Sequence, residues 1–286
     1  MGVQILTDST SYLPKDIIEE LGINVASLNI SFDGESRREI DIDNQTFYQT
    51  MSERGIPKSS QPSAGELYHM MFSAIEKGDS LCCIFLSSEM SGTFTAAYTV
   101  KEMILREKKD AEIEIIDSKS NSMQLGFAVI TAARAAKAGK TLSEVKEAVL
   151  QNIKRSRFLF IPDSLEYLKK GGRIGNASAL IGNLFKIIPI LTVESGKTTT
   201  FMKVRTKKNA VQAMLEKMME DIAKFGLGEV IVHHINCWDE AKEIVQVIER
   251  RLKVMAKIIS IGPVIGLHVG PGSIGIVYYT NQDMRE

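Results

Sequence analysis

The sequence lacks any apolar stretch near the roughly 20 residues that cross a bilayer, so stable membrane insertion is not expected. It lacks an excess of either charge. Lys+Arg and Asp+Glu both number 35, so nothing steers it toward nucleic acid or an anionic membrane surface. Cysteine is scarce: Cys82 and Cys83 are adjacent and Cys237 is distant, which is neither a disulfide framework nor zinc spacing. No internal repeat with a period of roughly 20–50 residues is visible. The G-x-S-x-G elbow, the Walker phosphate loop and H-E-x-x-H are all missing. The chain opens on a strand pattern, Val3-Gln4-Ile5-Leu6, without a basic region and signal-type apolar run, so a cytoplasmic location is expected.

What is present is ordinary globular material. The 286 residues are 44% hydrophobic and 24% charged, enough for a real core and, by length, two modest domains. The central stretch is Leu81 to Thr93. Leu81-Cys82-Cys83-Ile84-Phe85-Leu86 reads as a strand buried on both faces, as in a parallel sheet covered by helices. Small polar residues then follow, Ser87-Ser88-Glu89-Met90-Ser91-Gly92-Thr93. From there Phe94, Ala97, Val100, Met103 and Ile104 recur at helical spacing. A strand-to-helix turn at the carboxyl end of such a strand is where open α/β sheets bind ligands. Its hydroxyls and the first N–H groups of the helix favour an anion, although Ser91 or Thr93 acting only as a helix cap explains the local pattern equally well.

Taken in order, Val3 to Thr7 is a strand ending in Asp8-Ser9-Thr10-Ser11, and Pro14 opens a helix that Gly22 stops. Ile23 to Phe32 reads as one second strand, and the charged segment 33–43 as a loop or an excursion on the surface. Phe47 and Met51 suggest a helix ending near Gly55. Ile56 to Ser63, with two prolines and three serines, reads as irregular structure. A helix follows from about Gly65 to Lys77. After the central turn come a strand at Ile113–Ile116, an Ala/Gly-rich helix from Ser122 to Ala138, and a helix opened by the capping box Thr141-Leu142-Ser143-Glu144. This alternation predicts a three-layer parallel-sheet domain over residues 1–155.

Residues 156–286 predict a second α/β domain with a mixed sheet. Its elements are a short helix at Leu165–Lys170 closed by Gly171-Gly172, an apolar helix from about Ala177 to Phe185, and a hairpin of Ile190–Val193 with Thr198–Val204. A long amphipathic helix carries Val211, Met214, Leu215, Met218 and Ile222 on one face. Strand Glu229–His233, helix Trp238–Leu252 and closing strands near Ile258 and Ile274 complete it.

Candidate chemistry is sparse. His233 and His234 are neighbours in a strand and point to opposite faces, which favours structural roles. Gly270-Pro271-Gly272-Ser273-Ile274-Gly275 matches G-x-G-x-x-G, but the segment after it is a strand, not the helix the dinucleotide fingerprint needs. That leaves His268 entering a Gly/Pro-rich turn where backbone can approach a ligand. Asp8 and Asp117 each end a strand ahead of a serine, a pattern that fits capping and also a magnesium site; capping is favoured. Arg205 lies just past a strand in a basic run. Ser59–Ser63, Ser87–Thr93 and His268–Gly272 offer hydroxyls, N–H groups and one imidazole, with no evident nucleophile–base pair. Such turns suit binding an anion better than transforming one.

At these residues the sequence resembles the DegV family, and within it the fatty-acid-binding subunits of bacterial fatty acid kinase (FakB-type). The resemblance runs over essentially the whole chain. It rests on Thr7-Asp8-Ser9-Thr10, Ser59-Ser60-Gln61-Pro62-Ser63, Ser87 to Thr93, Leu165 to Ile174, Lys203-Val204-Arg205-Thr206, and His268 with its Gly-Pro-Gly. Ser59 stands where the family commonly has threonine, which keeps a hydroxyl. The resemblance implies a two-domain α/β carrier without catalysis or cofactor, holding a long-chain fatty acid with its carboxylate near the domain junction. It implies hydroxyls matching Ser59 and Ser91 on the carboxylate, with Arg205 and His268 close by, and a separate fatty acid kinase subunit that makes an acyl phosphate for phospholipid synthesis. The candidate ligand set also takes in Ser60, Gly92 and Thr93 of the same turns, and Arg173 is expected at the surface in contact with the kinase. The competing readings are a metal-dependent enzyme using Asp8 and Asp117 on a phosphorylated or carboxylated metabolite, and a lipid-sensing regulator without a kinase.

Overall fold

The structure, a computed structural model, describes residues 2–180 and 187–284. In chain order its elements are β1 (Val3–Asp8), α1 (Lys15–Leu21), β2 (Ile23–Ala26), β3 (Asn29–Phe32), β4 (Glu35–Arg38), α2 (Asn44–Arg54), β5 (Lys58–Ser60), α3 (Ala64–Glu76), β6 (Ser80–Phe85), α4 (Thr93–Glu107), β7 (Ile113–Asp117), α5 (Ser122–Lys137), α6 (Leu142–Lys154), β8 (Ser156–Ile161), α7 (Glu166–Lys170), β9 (Ile188–Glu194), β10 (Lys197–Val204), α8 (Lys207–Phe225), β11 (Leu227–His234), α9 (Trp238–Leu252), β12 (Lys257–Ser260), α10 (Pro263–Val269) and β13 (Ile274–Thr280). They form two compact units, Met1–Asp41 with Lys58–Ile153, and Ile42–Pro57 with Lys154–Glu286. A single cut at residue 155 misses this excursion, because α2 packs with the second unit. There Tyr48 donates its hydroxyl to the Ile261 carbonyl (2.9 Å) and Asn44 Nδ2 to Ser260 Oγ (3.2 Å).

The first unit is an α/β layer structure on a parallel sheet of order β2-β1-β6-β7. Leu6, Ala26, Cys83 and Phe85 pack against Leu67, Met71 and Ala74 of α3 and Ala97, Val100 and Ile104 of α4. Their neighbours Ile5, Cys82 and Ile84, equally buried, face the other way. Helix α5 packs against β1 and β6. Every residue of β6 is buried, which is why it reads as a continuous apolar run. Two strand readings need correction. The stretch Ile23–Phe32 is two strands in different sheets, since β3 pairs antiparallel with β4 and β5. The charged segment after it is a surface excursion rather than a loop: Glu35–Arg38 is a strand, exposed along its length.

The second unit is built on a mixed sheet of order β10-β9-β8-β13-β11-β12, in which only the β11–β12 pair is parallel. Leu159, Ile161, Ile190, Val232 and Ile276 pack against Met214 and Met218 of α8 and Ile244 and Ile248 of α9. The β9–β10 hairpin turns through Ser195 (φ 48) and Gly196 (φ 84), the paired left-handed geometry of a two-residue hairpin loop. Gly175–Leu180 is a 3₁₀ turn; the rest of the apolar helix expected up to Phe185 lies outside the described residues.

Candidate functional site

In the first unit the site is built at the carboxyl end of the parallel sheet. Asp8, fully buried at the end of β1, accepts the Leu86 N–H at Oδ2 (2.7 Å) and the Thr10 N–H (2.9 Å) and hydroxyl (2.5 Å) at Oδ1. It clasps the ends of β1 and β6 together. Burial pushes its carboxyl up to about 6, although those hydrogen bonds favour the charged form. Asp117 plays the matching part beside it, accepting from Ser88 Oγ (2.5 Å), Ser88 N–H (3.3 Å) and Lys119 N–H (2.8 Å). Ser87 N–H donates to the Ser120 carbonyl (2.7 Å), so the turns after β6 and β7 brace each other. Both carboxylates are engaged in holding turns. Among the described residues, no three His, Cys, Asp or Glu side chains gather as a metal site.

Between these braces sits the turn itself. The Met90 and Ser91 N–H groups donate to the Ser87 carbonyl (2.9 and 3.1 Å). Ser91 Oγ lies 2.9 Å from Thr93 Oγ1 and accepts the Thr93 N–H (3.3 Å). Gly92 is the N-cap of α4 and supplies no side-chain cap. The half-buried Ser91 hydroxyl, the buried Thr93 hydroxyl and the first N–H groups of α4 therefore meet at one spot, where the helix dipole favours negative charge.

The Ser59–Ser63 segment reaches the same spot, and it is more ordered than its prolines suggest. Ser59 and Ser60 lie on β5, opposite Ile30 and Asn29 of β3, so the expectation of irregular structure is corrected. Being adjacent in a strand, they point to opposite sides; Ser59 is half-buried and Ser60 exposed. The following loop is pinned by buried Pro62 and by Ser63, whose side chain caps α3 through the Glu66 N–H (3.1 Å). Between the pins, Gln61 lies over Gly92: a Cβ there would sit 2.2 Å from Gln61 Oε1.

In the second unit, His268 is in the last turn of α10, at the entrance to the glycine turn that follows. A Cβ on Gly171 would lie 2.1 Å from His268 Nδ1. Burial pushes the imidazole down to about 4, and the nearby Arg173 charge adds to that. Arg173 is exposed and donates from Nη1 to the Gly171 carbonyl (2.6 Å). Arg205 is exposed between β10 and α8. Two residues on, Lys207 Nζ donates to the Gly272 carbonyl (3.3 Å), tying that junction to the turn after α10. His233 bonds the Ile259 carbonyl through Nδ1 (2.9 Å), and the His234 ring meets Trp238 edge-on at 5.4 Å. Both histidines are buried packing residues.

Sequence reasoning did not find the Asp8 clasp, the Gln61 approach, or the buried polar set Ser118, Ser120, Asn121 and Ser122 beside the central turn. A signal for the last existed, since a polar run after a buried strand marks its carboxyl end. Gln61 left none.

The family described as "Uncharacterised protein, DegV family" matches residues 2–281. A DegV domain-containing protein of Clostridium acetobutylicum is 60% identical over 285 residues, covering 100% of both chains. The crystal structure of DegV from Bacillus subtilis, described as a fatty acid binding protein, superposes with a TM-score of 0.88 at 32% identity, covering 98% of this chain and 99% of that one. A stearic acid-binding protein from Eubacterium ventriosum superposes with a TM-score of 0.88 at 25% identity, covering 98% of each. By the match along its length and by its close relatives, this chain belongs to the DegV family.

Proposed function

We propose that this protein binds a long-chain fatty acid in the cytoplasm and presents the carboxylate to a separate fatty acid kinase subunit, whose acyl phosphate product feeds phospholipid synthesis. The chain itself acts as a carrier and not as a catalyst. The observation that carries this reading is the turn at the end of β6, where the Ser91 and Thr93 hydroxyls and the first N–H groups of α4 converge. That donor set fits a carboxylate and contains no nucleophile–base pair. The fatty acid binding described for the Bacillus subtilis relative and the stearic acid binding of the Eubacterium ventriosum one support the ligand class. Ser59 and Gly92 belong to the proposed head-group set, and the resemblance extends it to Arg205 and His268; Ser60 points to the opposite side of β5 from Ser59 and does not share its face. Burying an acyl chain contributes about 0.8 kcal/mol per CH₂ and dominates affinity. A hydrogen bond to the charged head adds about 1.5–3 kcal/mol and sets orientation. Methionine, 13 in number, suits an adaptable apolar lining.

Mass spectrometry of organic extracts from the purified protein tests the ligand class, with a long-chain fatty acid expected in near-stoichiometric amount. Titration of the delipidated protein with a fatty acid and with its methyl ester tests the head-group site. The acid should bind about tenfold or more tightly, and equal affinities would remove the carboxylate site.

A further inference from the structure

Gly92 has φ −75° and ψ −1°, a conformation any residue adopts, so backbone strain does not require glycine there. The Gln61 side chain lies against Gly92: a Cβ at this position would meet Gln61 Oε1, the far end of an exposed side chain that can swing aside. Gln61 thus brings an amide onto the first turn of α4, beside Ser91 and Thr93. The backbone on either side of Gln61 is fixed, by β5 paired to β3 and by the Ser63 cap of α3. An amide can present either a carbonyl or an NH₂ group after a half-turn about its terminal bond. Toward an ionised carboxylate, only the NH₂ face is attractive.

We propose that Gln61 is a specificity-determining residue for an ionised carboxylate, its amide closing over Gly92 and turning its NH₂ toward the head group at the first turn of α4. This rests on the fatty acid reading above and names the residue that reads the charge of the head group. A fatty acid arrives with its carboxylate ionised near neutral pH, and an ester or alcohol of equal chain length offers no charge for the NH₂ to meet.

The test is Gln61→Glu, which keeps the length of the side chain and replaces the donor by a like charge. Wild type and variant are delipidated and titrated with a fatty acid and its methyl ester, with melting temperature as the check on folding. Gln61→Glu should lose about tenfold or more of acid affinity while ester affinity stays unchanged. A variant with the wild-type acid-to-ester ratio overturns the proposal and leaves the carboxylate site standing. Equal acid and ester affinities in the wild type overturn that site first. Gly92→Ala supplies the second measurement. It should push the Gln61 amide aside and narrow the acid-to-ester ratio, and in a chain that already carries Gln61→Ala it should narrow that ratio no further. A Gly92→Ala effect on that ratio that is the same with and without Gln61 overturns the contact on which the proposal stands.

Discussion

Asp8 is a fully buried titratable group that joins the ends of two strands in the first unit. Its buried carboxyl is pushed from 3.8 up to about 6, so the folded state holds a proton that the unfolded chain releases near pH 4. The unfolded state binds fewer protons between those values, and stability falls as pH rises through that window. The full effect is about 3 kcal/mol, present below pH 4 and lost above pH 6. Urea denaturation of wild type and Asp8→Asn across pH 4–8 checks this: the difference between them should change with pH by about that much, and a constant difference would count against the shifted carboxyl. Ser91 poses a different question, because its hydroxyl already accepts the Thr93 N–H. As a cap alone, Ser91→Ala would cost about 1 kcal/mol of stability and leave discrimination of acid from ester intact. As a head-group donor, it should narrow that discrimination by about tenfold while the acyl chain still binds. Ser91 was legible in the sequence because it stands where a buried strand gives way to a helix. Gln61 was not, since a contact between residues 31 positions apart has no local pattern.

At the scale of elements, legibility followed burial contrast. Helix α9 was read to its ends because Ala241, Ile244, Val245 and Ile248 alternate with charge at helical spacing. The capping box opening α6 was equally plain: Glu144 Oε2 accepts the Thr141 N–H (2.9 Å) and Thr141 Oγ1 accepts the Glu144 N–H (3.3 Å). Strand β4 was missed because it buries no residue and so shows no alternation. Strands β2 and β3 were fused because the apolar pattern continues through Leu28, although the chain changes sheets there. Helix α10 was hidden by Gly266 within it and by Gly262 and Gly270 at its ends, and Gly266 is set by packing, since a Cβ there would run into the Tyr48 hydroxyl. The second unit carries its own element-scale prediction. Asp221 of α8 accepts from Tyr278 of β13 (2.7 Å) and from Arg157 Nε of β8 (2.9 Å), with Lys217 Nζ 3.0 Å away. Removing the carboxylate leaves a guanidinium and a phenol hydroxyl poorly compensated, so Asp221→Ala should cost about 3 kcal/mol in denaturant unfolding. Asp221→Asn should cost less, because it keeps an acceptor. A loss below about 1 kcal/mol for the alanine variant would place this network with solvated surface pairs.

At the scale of the whole molecule, the even charge balance makes local clusters informative. The chain carries 35 basic and 35 acidic residues, yet Lys169, Lys170 and Arg173 stand together, all exposed, on α7 and the turn after it. Arg173 spends one donor on the Gly171 carbonyl, which fixes the guanidinium beside the glycine pair that also receives His268. A group held this way loses little side-chain freedom when a partner binds, and its planar fork suits a carboxylate on that partner. We therefore expect Arg173→Ala to leave lipid content, melting temperature and the acid-to-ester ratio unchanged while lowering phosphorylation in an assay reconstituted with a fatty acid kinase subunit. Raising salt from about 0.05 M to 0.5 M should weaken the wild-type coupling as well, since exposed charges are screened over about 10 Å at 0.1 M. The lipid measurements separate docking from ligand binding: an Arg173→Ala protein that loses its fatty acid places the guanidinium at the head group. A protein that keeps its lipid and is phosphorylated at the wild-type rate removes Arg173 from the partner surface and leaves the basic cluster without a docking role.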